Sequence, residues 1–193
     1  MSYRKGALAL SFAVVIFSSC APTLAEGSAS SALTEQALQL IQSGNSAKAS
    51  DFLTKAIYSD PANMKARRLL AQINLDCGNT AAATSMMQQV VKVDRGADNL
   101  CVMGDCYFAL GHSKEARTQY VEALKTTPDH LRSIIGLINI AQNDRDLASA
   151  KALCTQGMVR VHDRNGQLQL RRKLAELENM EQPVPAAGPK ADS

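Results

Sequence analysis

The 193-residue chain holds 46% hydrophobic but only 4% aromatic residues and no Trp. That length suits one domain or one short repeat array, and a makeup rich in Ala, Leu and Gln favours small-residue helix packing over a β-sandwich or an aromatic-lined pocket. Its 21 basic and 18 acidic residues give a formal charge of +3; Arg4 and Lys5 belong to the N-terminal leader, and the rest is close to balance, which argues against the basic footprint of a nucleic-acid-binding protein.

The chain starts "MSYRKGALALSFAVVIFSSCAPTLAEG": a short basic region, an apolar run from Ala7 to Phe17, then small residues. This is the layout of an export signal. The apolar run is shorter than the roughly 20 residues of a membrane-spanning helix, so removal of the leader is expected over its retention as an anchor. Two processing sites compete. Thr23-Leu24-Ala25 fits the small-x-small rule and makes residues 1–25 a signal peptide. "FSSC" resembles a bacterial lipobox, with Phe17 where Leu is usual, and makes residues 1–19 a lipoprotein signal that leaves Cys20 lipidated at the membrane. The mature chain is thus expected to be exported, either periplasmic or secreted, or else membrane-anchored as a lipoprotein. An oxidising compartment permits disulfides, but Cys77, Cys101, Cys106 and Cys154 are sparse, and buried free thiols are expected.

From Ser30 the sequence repeats. "SGNSAKASDFLTKAIYSDP" (43–61) aligns with "LGHSKEARTQYVEALKTTP" (110–128), and Gly44, Gly78, Gly111 and Arg145 follow one another at intervals of 34, 33 and 34 residues. Ala49, Ala83, Ala116 and Ala150 keep the same intervals, and Pro61 and Pro128 end matching units, with Arg95 and His162 in the slots between. Each unit reads as a helical hairpin: a first helix runs to a Gly that can adopt the left-handed conformation, and a second closes before Asp-Pro or Thr-Pro. Gly104, Ala116 and Ala123 let the third pair approach closely, with Met103, Tyr107 and Tyr120 filling the space around them. One hairpin buries too little to stand alone, so neighbours must stack.

These residues resemble the tetratricopeptide repeat family. The third unit matches best, through Leu100, Met103, Gly104, Tyr107, Gly111, Ala116, Tyr120, Ala123 and Pro128. The first, Ser30 to Asn63, keeps Ala37, Leu40, Gly44, Ala49, Leu53, Ala56 and Pro61; the second, Met64 to Gly96, is one residue short near Arg95 to Asp98. The fourth, Leu131 to Arg164, is degraded, with Arg145 and Gly157 replacing the expected Gly and Ala. The resemblance implies an all-α solenoid of about four repeats over residues 30–164. Leu168, Leu170, Leu174 and Leu177, at near-helical spacing, make residues 165–181 a capping helix. The Pro- and Ala-rich residues 182–193 are expected to be a disordered tail.

The stretch "CVMGDCYFALGH" (101–112) has metal-ligand residue types, but on a helix Cys101 and Cys106 point about 140° apart and cannot close on one ion. His112, His130 and His162 fall at hairpin turns, and no nucleophile motif or phosphate-cradling loop is present. No enzymatic activity, cofactor or metal is expected. The resemblance implies that first helices line a concave groove for a peptide or a helix of another protein, which selects Leu38, Ile41, Lys65, Arg68, Gln72, Asp98, Cys101, Asp105, Phe108, Arg132, Ile135 and Asn139. The carboxylate clamp of chaperone-binding members is not expected: its positions hold Thr34, Leu38, Leu69, Asp98 and Val102 in one register, and Arg68, Gln72, Val102, Arg132 and Gly136 in the next. The reading is an exported scaffold or adaptor of the cell envelope, similar to assembly factors of pili, secretion systems or outer-membrane complexes. The alternatives are a thiol- or metal-dependent redox protein and a non-catalytic accessory subunit of an envelope enzyme.

Overall fold

Among the described residues the chain reverses four times through one left-handed residue: Gly44 (φ 79°), Gly78 (φ 81°), Gly111 (φ 78°) and Arg145 (φ 59°). The N–H that follows each of them returns to a helix carbonyl, as in Asn45 to Leu40 at 2.8 Å and Asp146 to Ala141 at 2.9 Å, which satisfies carbonyls that a helix end would otherwise leave open. The fourth turn thus forms without glycine, with Arg145 carrying the cost of a conformation that side chains disfavour.

The computed structural model describes residues 23–181. Among them are α1 (Thr23–Gln42), α2 (Ser46–Ser59), α3 (Met64–Asp76), α4 (Thr80–Val93), α5 (Ala97–Ala109), α6 (Ser113–Thr126), α7 (Leu131–Asn143), α8 (Leu147–Arg160) and α9 (Arg164–Glu181), and no strands. The leader through Pro22, with Cys20, and the tail 182–193 lie outside the described residues. Helices pair in sequence order, and α5 also meets both α3 and α7, so first helices line up beside one another as in an α-solenoid. Side chains set the helix starts: Asn45, Asn63 and Asp146 accept from the N–H groups of Lys48, Ala66 and Ser149, each satisfying an orphan donor of a first turn. The missing residue of the second unit falls in the turn 94–96. There Asp94 accepts from Gly96 N–H at 2.8 Å and from the Asn99 amide at 2.7 Å, and Arg95, in the slot of a proline, pairs with Glu122 at 2.7 Å.

The core runs along the array as four linked clusters. Ala49, Ala83, Ala116 and Ala150 are fully buried, because at these crossings a larger side chain would force the helices apart. Met103 joins the cluster of the preceding hairpin with Met87 and Val90 and does not fill the space beside Ala116. The Tyr120 ring does, lodged against Gly104 of its own hairpin and Gly136 of the next. A Cβ at those positions would stand 2.6 Å and 2.5 Å from ring carbons. In the degraded fourth unit Gly157 admits Ile134 and Leu170 in the same way. Leu170 and Leu177 of α9 are fully buried on Ile134, Ile138, Ala141 and Cys154, so α9 covers the last hairpin. Leu168, expected on that stripe, is 46% exposed on the outer side.

Replacing a mid-helix Gly by Ala ordinarily stabilises a helix by about 1 kcal/mol. Gly136→Ala is expected to do the opposite, lowering the unfolding free energy by about 1–3 kcal/mol through overpacking against Tyr120. Urea denaturation checks this, and a stabilised variant would show that the ring can move aside.

Candidate partner-binding groove

The predicted groove residues of α3, α5 and α7 meet side by side, and they pair with one another. Arg68 of α3 lies 3.3 Å from one carboxylate oxygen of Asp98 on α5, and His130 at the start of α7 lies 3.2 Å from the other. Arg68 and His130 are mostly covered, with side-chain exposures of 19% and 16%, whereas Asp98 stands 63% exposed above them. Half a helix further on, Asp105 accepts from the Tyr120 hydroxyl at 2.7 Å and from the Arg132 guanidinium at 2.7 Å. Arg132 also donates to the Gln72 carbonyl, reaching back to α3. At the near end Lys65 bridges to Glu35 of α1 at 2.7 Å. Positive and negative columns are therefore present, but joined into a network across consecutive repeats. A hollow of about 490 Å³ opens at its rim, bounded by Lys65, Arg68, Asp98, His130 and the turn 94–97.

The remaining expected positions divide by depth. Leu38 and Asn139 are half-buried; Ile41 and Ile135 pack partly into the first and last clusters; Phe108 leans on the cluster of Tyr120 and Leu137. Cys101 is corrected: expected on the groove surface, it is 1% exposed beneath Asp98 and Asp105, packed with Ala116, Tyr120 and Leu137. The reason is that α5 has helices on almost every side, so that Asn99 through Gly104 are all buried. Glu35, Tyr120 and His130 join the site without having been singled out for it. Tyr120 and His130 reach it from positions that the repeat pattern reserves for packing and for a turn, and Glu35 from the exposed side of α1.

The thiols share this burial. It is the main cause that raises Cys101 to about 12, with the Asp105 carboxylate adding to it, and Cys106 to about 11, against an opposing hydrogen bond with Thr84. Burial also raises Cys154, and it combines with Asp105 to push the Tyr120 phenol far above its ordinary value. All four groups keep their protons at neutral pH, and a protonated thiol is a poor nucleophile. Cys101 and Cys106 face different clusters, and among the described residues no three His, Cys, Asp or Glu side chains converge as a metal site. Among those residues, too, no helix is long and apolar enough to cross a membrane.

A family model of tetratricopeptide repeat-like domains matches residues 25–144. The chain belongs to this family. It is accordingly a scaffold for contacts between proteins, and the family's members are generally non-catalytic. Solved structures agree on the fold: a thermophilic TPR protein of Thermus thermophilus superposes with a TM-score of 0.70 at 19% identity over 79% of this chain and 82% of that one. PilF of Pseudomonas aeruginosa gives 0.69 at 22% identity over 81% and 71%. YrrB, described as a TPR protein with an unusual peptide-binding site, gives 0.54 at 14% identity over 77% and 86%. No curated protein matches the sequence.

Cys77, expected to be buried, is exposed, whereas Cys101, Cys106 and Cys154 are buried, so the thiols should separate in a thiol-reagent assay. At neutral pH Cys77 is expected to react within minutes, and the other three only at the rate of unfolding. Cys101 and Cys106 titrate higher in the folded chain than the ordinary 9.0, so the unfolded chain releases these protons first, and the stability their thiol forms contribute should fall as pH rises from about 9 towards 12. Rapid labelling of Cys101 in the native protein would contradict the packing around it.

Proposed function

We propose that the mature chain is an exported adaptor that holds a peptide or helix of another protein along the concave face of α3, α5 and α7, and that it serves the assembly of a pilus, secretion or outer-membrane complex. The observation that carries the binding half is the 490 Å³ hollow with an exposed Asp98 held between Arg68 and His130. A floor whose charges are already matched has little net attraction for a polyanion. It discriminates by geometry, favouring a partner segment that offers both donors and acceptors at the right spacing. Phe108, Ile135 and the α1 residues Leu38 and Ile41 add apolar contact beside it. The peptide-binding site ascribed to YrrB supports the same kind of ligand here. Export rests on the leader, through cleavage after Ala25 or lipidation of Cys20.

Photo-crosslinking tests the proposal in the organism's own envelope fraction. A crosslinking residue at Gln72 should capture a discrete partner, whereas one at Tyr58, 90% exposed on the second helix of the first hairpin, should not. Asp98→Arg, which replaces the carboxylate shared by Arg68 and His130 with a positive group, should reduce that capture at least about tenfold with an unchanged helical spectrum, since exposed charges contribute little to folding. Capture from Tyr58 alone, or unaffected capture by the variant, would move the interface off the concave face. A mature chain beginning at Met1 would contradict signal removal.

A further inference from the structure

The arginines among the described residues fall into two populations. Arg67, Arg68, Arg95, Arg117 and Arg132 each reach an acceptor on another helix or turn. Arg145, in the turn of the last hairpin, and Arg160, Arg164, Arg171 and Arg172, on the last hairpin and the cap, make no side-chain ion pair or hydrogen bond among the described residues, and all five are exposed. The difference is one of place. Arg68, Arg95, Arg117 and Arg132 take a carboxylate from an adjacent unit, whereas α9 is the last of the described helices.

On α9, Arg164, Leu168 and Arg171 follow at i, i+4 and i+7, so they share one stripe. Arg172 stands beside that stripe. The opposite stripe, Gly166, Leu170 and Leu177, is buried on the last hairpin. The first turn is fixed there by the Gln167 amide, which donates to the Val161 carbonyl at 2.9 Å. Between Arg164 and Arg171 lies a hollow of about 210 Å³ with the half-exposed Leu168 on its wall. The nearby carboxylate, Asp163, is turned to the helix start, where it accepts from Gly166 N–H at 2.7 Å.

From this we infer that the outer face of α9 is a second docking surface, independent of the concave groove, for an acidic helical segment of a partner protein. Seven residues of helix separate the two arginines by about 10 Å. A partner helix with Glu at two positions seven apart and an apolar residue between them matches Arg164 and Arg171 in charge and Leu168 in contact. An anionic membrane is the poorer occupant, because the leucines that would enter a bilayer, Leu170, Leu174 and Leu177, are packed against α7 and α8, leaving one large apolar side chain on the basic stripe.

The test uses the mature full chain at about 50 mM salt, where charge pairing is least screened, and a fluorescent helical peptide with Glu at its first and eighth positions and Leu at its fifth. The Glu peptide should bind at least tenfold tighter than its Gln counterpart. Arg164→Gln with Arg171→Gln should abolish that preference, and Leu168→Ala should weaken binding several-fold, all with unchanged melting. Arg117→Gln, which removes an exposed but paired arginine, should bind as the parent does. Equal binding of the Glu and Gln peptides, or a double variant that retains the preference, would overturn the inference. So would phosphatidylglycerol vesicles that bind through these arginines while the peptide does not.

Discussion

The Tyr120 ring, held between two glycines on neighbouring first helices, is the contact on which the rest of the array depends. Only helices without side chains at Gly104 and Gly136 can close on an aromatic ring from both sides. The phenol then has to find an acceptor, because a buried hydroxyl left unpaired costs about 1–3 kcal/mol. It finds Asp105. The same carboxylate takes Arg132, and Arg132 reaches across α5 to Gln72, two repeats away in sequence. One packed ring thereby sets the spacing of α5 against α7, and its polar end ties both to α3. The groove floor is the upper surface of that arrangement.

This changes what the charges on the concave face do. Arg68, Asp98, Asp105 and Arg132 would, if free, present an alternating column for a partner to neutralise. Paired with one another, they hold consecutive repeats in register and offer a partner a pattern of hydrogen-bonding edges around the hollow at Asp98 and His130. Cost and gain are both modest for partly exposed pairs, but linked pairs resist local opening better than separate ones. The outer face of α9 is the converse case. Its arginines have the same chemistry and, among the described residues, no carboxylate paired with them, so their charge remains available for binding.

Much of the fold was legible in the sequence because a solenoid repeats its local rules. Gly44, Gly78 and Gly111 marked left-handed turns, and the regular alanines marked the close crossings. Even Arg145, which breaks the glycine rule, was identifiable by its interval. The missing residue near Arg95 could be placed because the helices on either side kept phase. The depth of each groove position was not legible. The resemblance assigns Cys101 a direction, but how far a neighbouring helix covers that direction depends on the curvature of the array, which the period does not contain. The pairing of Arg132 with Gln72 was hidden for the same reason: it spans two repeats and forms only at one superhelical pitch. Leu168 fitted the apolar spacing of α9, yet the helix turned its Leu170–Leu177 stripe inward, since a Gly at 166 permits close contact with Val161 and Leu131 on that side.

The claim that Tyr120 and Arg132 act as one unit through Asp105 is tested most directly by a double-mutant cycle on folding stability. Tyr120→Phe removes the hydroxyl and keeps the ring; Arg132→Met removes the guanidinium and keeps the stem. Urea denaturation of both single variants, the double variant and the parent gives the coupling energy. A linked network predicts about 1 kcal/mol or more of coupling, since either loss weakens the hold of Asp105 on the other partner. Additivity within about 0.3 kcal/mol would mean that the two contacts are independent, and that the groove floor is not held by this chain of bonds.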